Sequence, residues 1–265
     1  MDYHALSYWD VAIAASLVFI NGIISVALKL HLGRSLLLGS VRTVVQLGLI
    51  GFILKWIFTI NHVSLVLLIL LIMTSIAALT ARGRNSYTYR GQLQDAFVSI
   101  LLPAWAILFI GMIVVMRVQP WYAPQYIIPI AGMIIGNVLT GVSLVMDRLL
   151  NELSDKKDSV EMLISLGATP WESYQEIARK AMSAGMMPTI NSMMVVGLVS
   201  LPGMMTGQIL AGQDPEQAVR YQIIVMFFLT AATGLACVLV VYSVFKRLFN
   251  KQGVFLYQRL HEEKK

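Results

Sequence analysis

The residues of this chain that could do chemistry are few, and most stand inside long apolar runs. Arg42 and Gln46 lie four apart, which puts both on one face of a helix. A charge in hydrocarbon costs about 2.5 kcal/mol or more, so such an arginine faces a bundle interior or a wet cavity, or snorkels to the headgroups. Asn137 and Asn191 suit interhelical hydrogen bonds or a polar path. In "LPGMM", Pro202 removes a backbone donor and Gly203 loosens the chain beside it. Interrupted helices are tolerated in membranes where the freed backbone is buried or lines a cavity, so Pro202–Gly203 reads either as a kink at a moving gate or as a packing kink. Met204 and Met205 end a run of seven methionines between residues 182 and 205. Thioethers are soft ligands, but methionine is also the adaptable filler of apolar interiors, and filler is the favoured reading here.

Enzymatic chemistry finds no support. The single cysteine, Cys237, allows no disulfide framework or cysteine-based metal site within one chain. His4, His31, His62 and His261 fall at span edges or in tails, and no carboxylate lies deep in an apolar run. Any metal ligands are therefore unknown. No G-x-x-x-x-G-K-[ST] phosphate loop is present, so the chain has no nucleotide-hydrolysing motif of its own.

The elements that must position these residues follow from composition. Of 265 residues, 57% are hydrophobic and 13% charged, against roughly 25% charged in soluble domains. Seven apolar runs are long enough for spans: about 11–28, 41–58, 63–81, 97–116, 126–146, 193–211 and 221–245. They do not alternate as barrel strands would. An all-α integral membrane protein of about seven helices is predicted, with one helix kinked near Pro202–Gly203. The first run has no basic flank before it and reads as a helix rather than a cleaved signal.

Charge orients the spans. Sixteen of twenty basic residues fall in alternate connections and the C-terminal tail, three in the opposite connections, and Arg42 lies within a span. The positive-inside rule then places the N-terminus outside and the C-terminus in the cytoplasm. These charges serve topology and lipid contact, not nucleic acid. The cytoplasm thereby receives residues 147–192. Within them Gly167 suits a helix C-cap, Thr169 an N-cap, Pro170 the first helical position and Glu172 a capping box. Trp171, Tyr174, Ala178 and Ala181 share one helical face, while Glu176 and Lys180 form an i,i+4 pair. Such a helix could lie in the headgroups or dock a soluble partner.

This segment resembles the loop that couples ABC-transporter permeases to their ATPase. Glu161 stands six residues before Gly167 and Ile177 ten after it, with "GATP" (Gly167, Ala168, Thr169, Pro170) following the hinge. Met162 and Leu163 replace the usual alanines, and "IARK" replaces the usual Ile-x-Leu-Pro ending. "SVRTVVQL", "QYIIPIAGMIIGN" and "GLVSLPGMMTGQILAGQDP" with its following "YQI" resemble the FetB-type permeases, a family including plant aluminium-sensitive proteins and bacterial iron-export permeases. The resemblance implies one transmembrane permease domain over 1–265 in a bacterial cytoplasmic membrane, working as a homodimer. It implies a separate ATPase subunit that binds ATP and magnesium, this chain being no enzyme. It also implies export of iron or another metal, coupled through residues 161–180. The readings weighed beside it are an ATP-independent secondary transporter or channel, a membrane scaffold, and transport of a non-metal solute or a chelated metal.

Overall fold

The structure is a computed structural model describing residues 7–29, 33–60, 62–250 and 252–262. His4, His31, Lys251, Lys264 and Lys265 lie outside the described residues. The chain is an all-α, multi-pass integral membrane protein. Two units emerge, Met1–Asn61 and His62–Lys265. In the first, α1 (Tyr8–Ala27) packs on α2 (Gly33–Ile60). In the second, the order is α3 (Val63–Arg82), β1 (Tyr87–Thr88), α4 (Gln92–Ile110), α5 (Pro124–Asp155), α6 (Lys157–Ser165), α7 (Pro170–Val195), α8 (Gly203–Leu210), α9 (Pro215–Leu248) and β2 (His261–Glu262). A π-helical turn, Gly111–Val115, prolongs α4.

Five helical stretches among the described residues are long and apolar enough to cross a membrane: Leu36–Phe58, Val63–Arg82, Gln92–Val115, Pro124–Asp155 and Pro215–Leu248. Trp9–Ser25 is a shorter apolar helix. The run 193–211 is not one helix. Helix α7 ends at Val195, residues 196–202 turn back on themselves through a Gly197 N–H to Ser200 carbonyl bond of 2.9 Å, and α8 restarts after Pro202. The expected kink is thus a break. Gly197 takes φ +86°, and Pro202 sits extended as the N-cap of α8, so two residues unsuited to helix interiors bracket the turn.

Helix α5 is the hub and packs against α3, α4, α7 and α9. Its buried residues, among them Ile127, Ala131, Ile134, Val138, Val142 and Val145, recur every three to four positions. Where α5, α7 and α9 meet, Gly141 and Gly185 remove side chains that could not fit. A Cβ on Gly185 would stand 2.3 Å from Val145 Cγ2 and 2.8 Å from the Gly141 carbonyl oxygen. Cys237 of α9 fills the remaining space and is fully buried. This close crossing lies in the second half of α7, so the helix that carries the polar segment and the start of the expected sixth span are one element.

At one end of the second unit the connections assigned to the cytoplasm by charge come together. β1 pairs antiparallel with β2 of the tail. The Ser86 N–H donates to Asp147 Oδ1 at 3.3 Å. The guanidinium of Arg247 donates to both carboxylate oxygens of Asp95, at 3.0 and 3.1 Å, and the Tyr89 hydroxyl donates to the same carboxylate at 2.9 Å.

Candidate functional site

Two places in the second unit gather polar groups from distant parts of the sequence. The first is a cavity of about 270 Å³ among α5, α7, α9 and the 196–202 turn. Met133 and Asn137 reach it from α5, Thr189 and Ser192 from α7, and Gln222, Met226 and Leu229 from α9. Val196, Ser200 and Pro202 close it from the break. Each helix contributes at three- or four-residue spacing, so one face of each points inward. The Asn137 amide donates to the Met133 carbonyl at 3.0 Å. Gln222 Oε1 is buried without a hydrogen-bond partner. Leaving a buried acceptor unmet costs about 1–3 kcal/mol, so a hydrogen-bond donor reaching this oxygen would be favoured. The cavity lining carries oxygens and thioethers and no formal charge.

Of the residues singled out from sequence, Asn137 and Pro202 meet at this cavity. Met204, half-buried, and Met205, 7% exposed, sit on α8 without lining it, and Gly203 is exposed at its start. Arg42 and Gln46 belong to the first unit, where both are exposed on α2. Asn191 is exposed and lies outside the lining. Among the described residues no three His, Cys, Asp or Glu side chains group to hold a metal ion. Sequence reasoning passed over Thr189, Ser192, Ser200 and Gln222. The available signal was their spacing: Thr189, Ser192 and Val196 repeat at helical intervals, as do Gln222, Met226 and Leu229.

The second place is the α6–α7 turn. Gly167 takes φ +98°. Its N–H bonds the Ile164 carbonyl at 3.0 Å and the next N–H, of Ala168, bonds that of Leu163 at 3.0 Å, a Schellman pair that ends α6. The Thr169 N–H donates to the Glu172 carboxylate at 2.7 Å, and the Glu172 N–H donates back to Thr169 Oγ1 at 3.3 Å. With Pro170 first in α7, this is the predicted capping box. The Thr169 hydroxyl and N–H both hold the Glu172 carboxyl below its ordinary range.

The amphipathic face of α7 turns inward. Tyr174, Ile177, Ala178 and Ala181 are buried. The Tyr174 hydroxyl donates to the Val241 carbonyl of α9 at 2.9 Å. Trp171 meets Phe245 edge-on with ring centroids 5.3 Å apart, and Phe245 stacks on Phe249 at 5.0 Å. Ile177, aligned with the coupling motif, therefore anchors the helix within its own chain. What remains outward is Glu161 with Met162, Leu163 and Leu166, these three 57%, 39% and 77% exposed, at the tip of a rigidly capped turn.

The sequence profile of UPF0014, described as an uncharacterised protein family, matches residues 8–249. The chain belongs to the UPF0014 family. It is 39% identical over 229 residues to the "UPF0014 membrane protein slr1647" of Synechocystis sp., covering 86% of this chain and 88% of that one. It is 36% identical over 250 residues to the "UPF0014 membrane protein YjkA" of Bacillus subtilis, covering 94% and 96%. Over 263 residues it is 32% identical to the "Probable iron export permease protein FetB" of Escherichia coli, covering 99% and 100%. The FetB-type resemblance carried by the sequence motifs is thereby shown across the UPF0014 chain. No solved structure matches it.

Proposed function

We propose that this UPF0014 chain is the membrane permease subunit of an ATP-driven ABC transporter that moves iron or another metal out of the cytoplasm. The observation that carries the coupling half of this reading is the α6–α7 turn. One face of α7 is locked to α9 by Tyr174 and Trp171, while Met162, Leu163 and Leu166 project from a capped tip. Exposed apolar side chains rimmed by Glu161 and Glu172 suit insertion into a cleft of a soluble partner better than solvent. Because Gly167 and the capping box hold the tip stiff, a push there moves α7 as a lever, and α7 reaches the cavity through Thr189 and Ser192.

In this reading ATP and magnesium bind a separate ATPase subunit, and this chain hydrolyses nothing itself. Two permease copies in a bacterial cytoplasmic membrane complete the translocating unit. Leu198 and Val199 of the 196–202 turn, 90% and 81% exposed, are apolar surface that a second copy would bury. The name of the FetB relative supports metal as cargo. The uncharged lining of the cavity favours a weakly held or chelated metal over a tightly bound bare ion.

Co-purification with candidate ATPase subunits tests the coupling. Wild type should retain one ATPase and raise its ATP turnover. Leu166→Asp, Glu161→Lys and Gly167→Pro should each lose it. Retention of the same ATPase by all three variants would refute the docking reading. Uptake into inverted vesicles with iron, copper and other metals tests the cargo; metal accumulation independent of ATP would favour a secondary transporter instead.

A further inference from the structure

At the gathered end of the second unit lies a cleft of about 1000 Å³ unrelated to the cavity and to the α6–α7 turn. Its wall is basic. Arg82 closes α3, Arg90 and Gly91 precede α4, Arg247 closes α9, and Arg259 and His261 come from the tail. Asp95, in the first turn of α4, is consumed by Arg247 and Tyr89. Arg82 and Arg90 have no ion-pair partner among the described residues, and both are exposed. Arg259 donates to the Arg247 carbonyl at 2.9 Å, which ties the tail into the wall.

Two further features point the same way. The first turn of α4, Gln92 to Gln94, lines the cleft, and this helix start has no side-chain cap. The Gln92 N–H is already bonded to the Tyr89 carbonyl at 3.2 Å, and the N–H groups of Leu93 and Gln94 with the helix dipole favour an anion. Gln92 is 1% exposed. Its Oε1 accepts from the Thr88 hydroxyl at 2.7 Å, which orients Nε2 as a donor, and Nε2 is buried with no acceptor. A glycine is required beside it: Gly91 has φ +98°, and a Cβ there would stand 2.8 Å from the Arg247 guanidinium carbon. The backbone and a guanidinium are thus packed side by side at the mouth of the cleft.

We propose that this cleft binds a phosphate-bearing anion, held by Arg82 and Arg90, the α4 N-terminus and Gln92 Nε2. Arginine forks match phosphate oxygens in pairs, and a site at helix ends would meet phosphates at headgroup level. The same chemistry could be met by an anionic phospholipid or by a soluble phosphate ester.

Two arms of one experiment distinguish these sources. Detergent-purified protein is titrated with phosphatidylglycerol or phosphatidylcholine and bound lipid is read by native mass spectrometry. In parallel, inorganic phosphate and AMP are titrated by calorimetry. Wild type should prefer phosphatidylglycerol over phosphatidylcholine by about tenfold or bind phosphate or AMP; the first result assigns a lipid and the second a soluble ester. Arg82→Gln/Arg90→Gln should lower the binding about tenfold. Gln92→Glu, isosteric but bearing an acceptor and a charge, should do so without altering the Thr88 contact. Arg117→Gln, an exposed arginine outside the cleft, should bind as wild type. The proposal is overturned if neither arm shows binding, if both cleft variants bind as wild type, or if Arg117→Gln loses as much as they do.

Discussion

Replacing Gly185 by Ala is a test of how α5, α7 and α9 are held together. Helix propensity alone would make this change favourable by up to about 1 kcal/mol. Packing predicts the opposite. The new methyl would lie 2.3 Å from Val145 Cγ2, 2.8 Å from the Gly141 carbonyl oxygen and 3.2 Å from Cys237 Sγ. Val145 is on a short branched side chain and the carbonyl is part of α5, so relief requires α5 and α7 to separate. Overpacking of this kind costs about 1–3 kcal/mol. For a chain of this size each kcal/mol lowers Tm by roughly 2–4 °C, so Tm should fall by about 2–12 °C. Gly136→Ala is the control: it lies on α5, and a Cβ there meets nothing within 4 Å. It should leave Tm unchanged or slightly raised. Val145→Ala in the Gly185→Ala background should recover part of the loss, because it removes the shortest contact. The assay is thermal unfolding of the detergent-purified protein followed by tryptophan fluorescence. A Gly185→Ala protein as stable as Gly136→Ala would refute the close crossing.

Other perturbations address the turn, the gathered end and the cavity. At pH 7, Glu172→Gln should unfold at a lower temperature than wild type. The hydrogen bonds from Thr169 lower the Glu172 pKa in the fold, so its stabilisation is present above the ordinary glutamate value of about 4.3 and is lost as pH falls through the folded value. The gap between the two proteins should therefore close in acid, and a gap independent of pH would dismiss the capping box as a source of stability. Asp95→Ala removes the acceptor shared by Arg247 and Tyr89 and should destabilise by about 1.5 kcal/mol in chemical denaturation, discounted because Arg247 is partly exposed. Pro202→Ala restores a backbone donor at the edge of the cavity; it should change transport rate while leaving membrane insertion intact, and unaltered transport would exclude Pro202 from the gate. Gln222→Leu removes the unmet acceptor and should raise Tm while lowering transport; a change in neither would show that the cavity has no part in translocation.

The local devices were legible from the residues because they act within four or five positions. Gly167, Thr169, Pro170 and Glu172 make the turn their order predicts. Membrane class was legible too, because hydrocarbon imposes a length and an apolarity that composition displays directly. Pro202 and Gly203 announced an interruption, but propensity could not separate a kink from a break. That depended on the whole 196–202 segment folding into a turn beside α9. The fate of the α7 amphipathic face was undecidable locally, since a stripe of Trp171, Tyr174 and Ala178 fits headgroups, a partner or its own chain equally well. Only the placement of Phe245 and Val241, some 70 residues away, decided for the chain itself. The cavity and the basic cleft are likewise products of tertiary packing. Asn137, Thr189 and Gln222 are polar residues of no distinction in isolation, and a site forms from them because three helices turn the same depth toward one another.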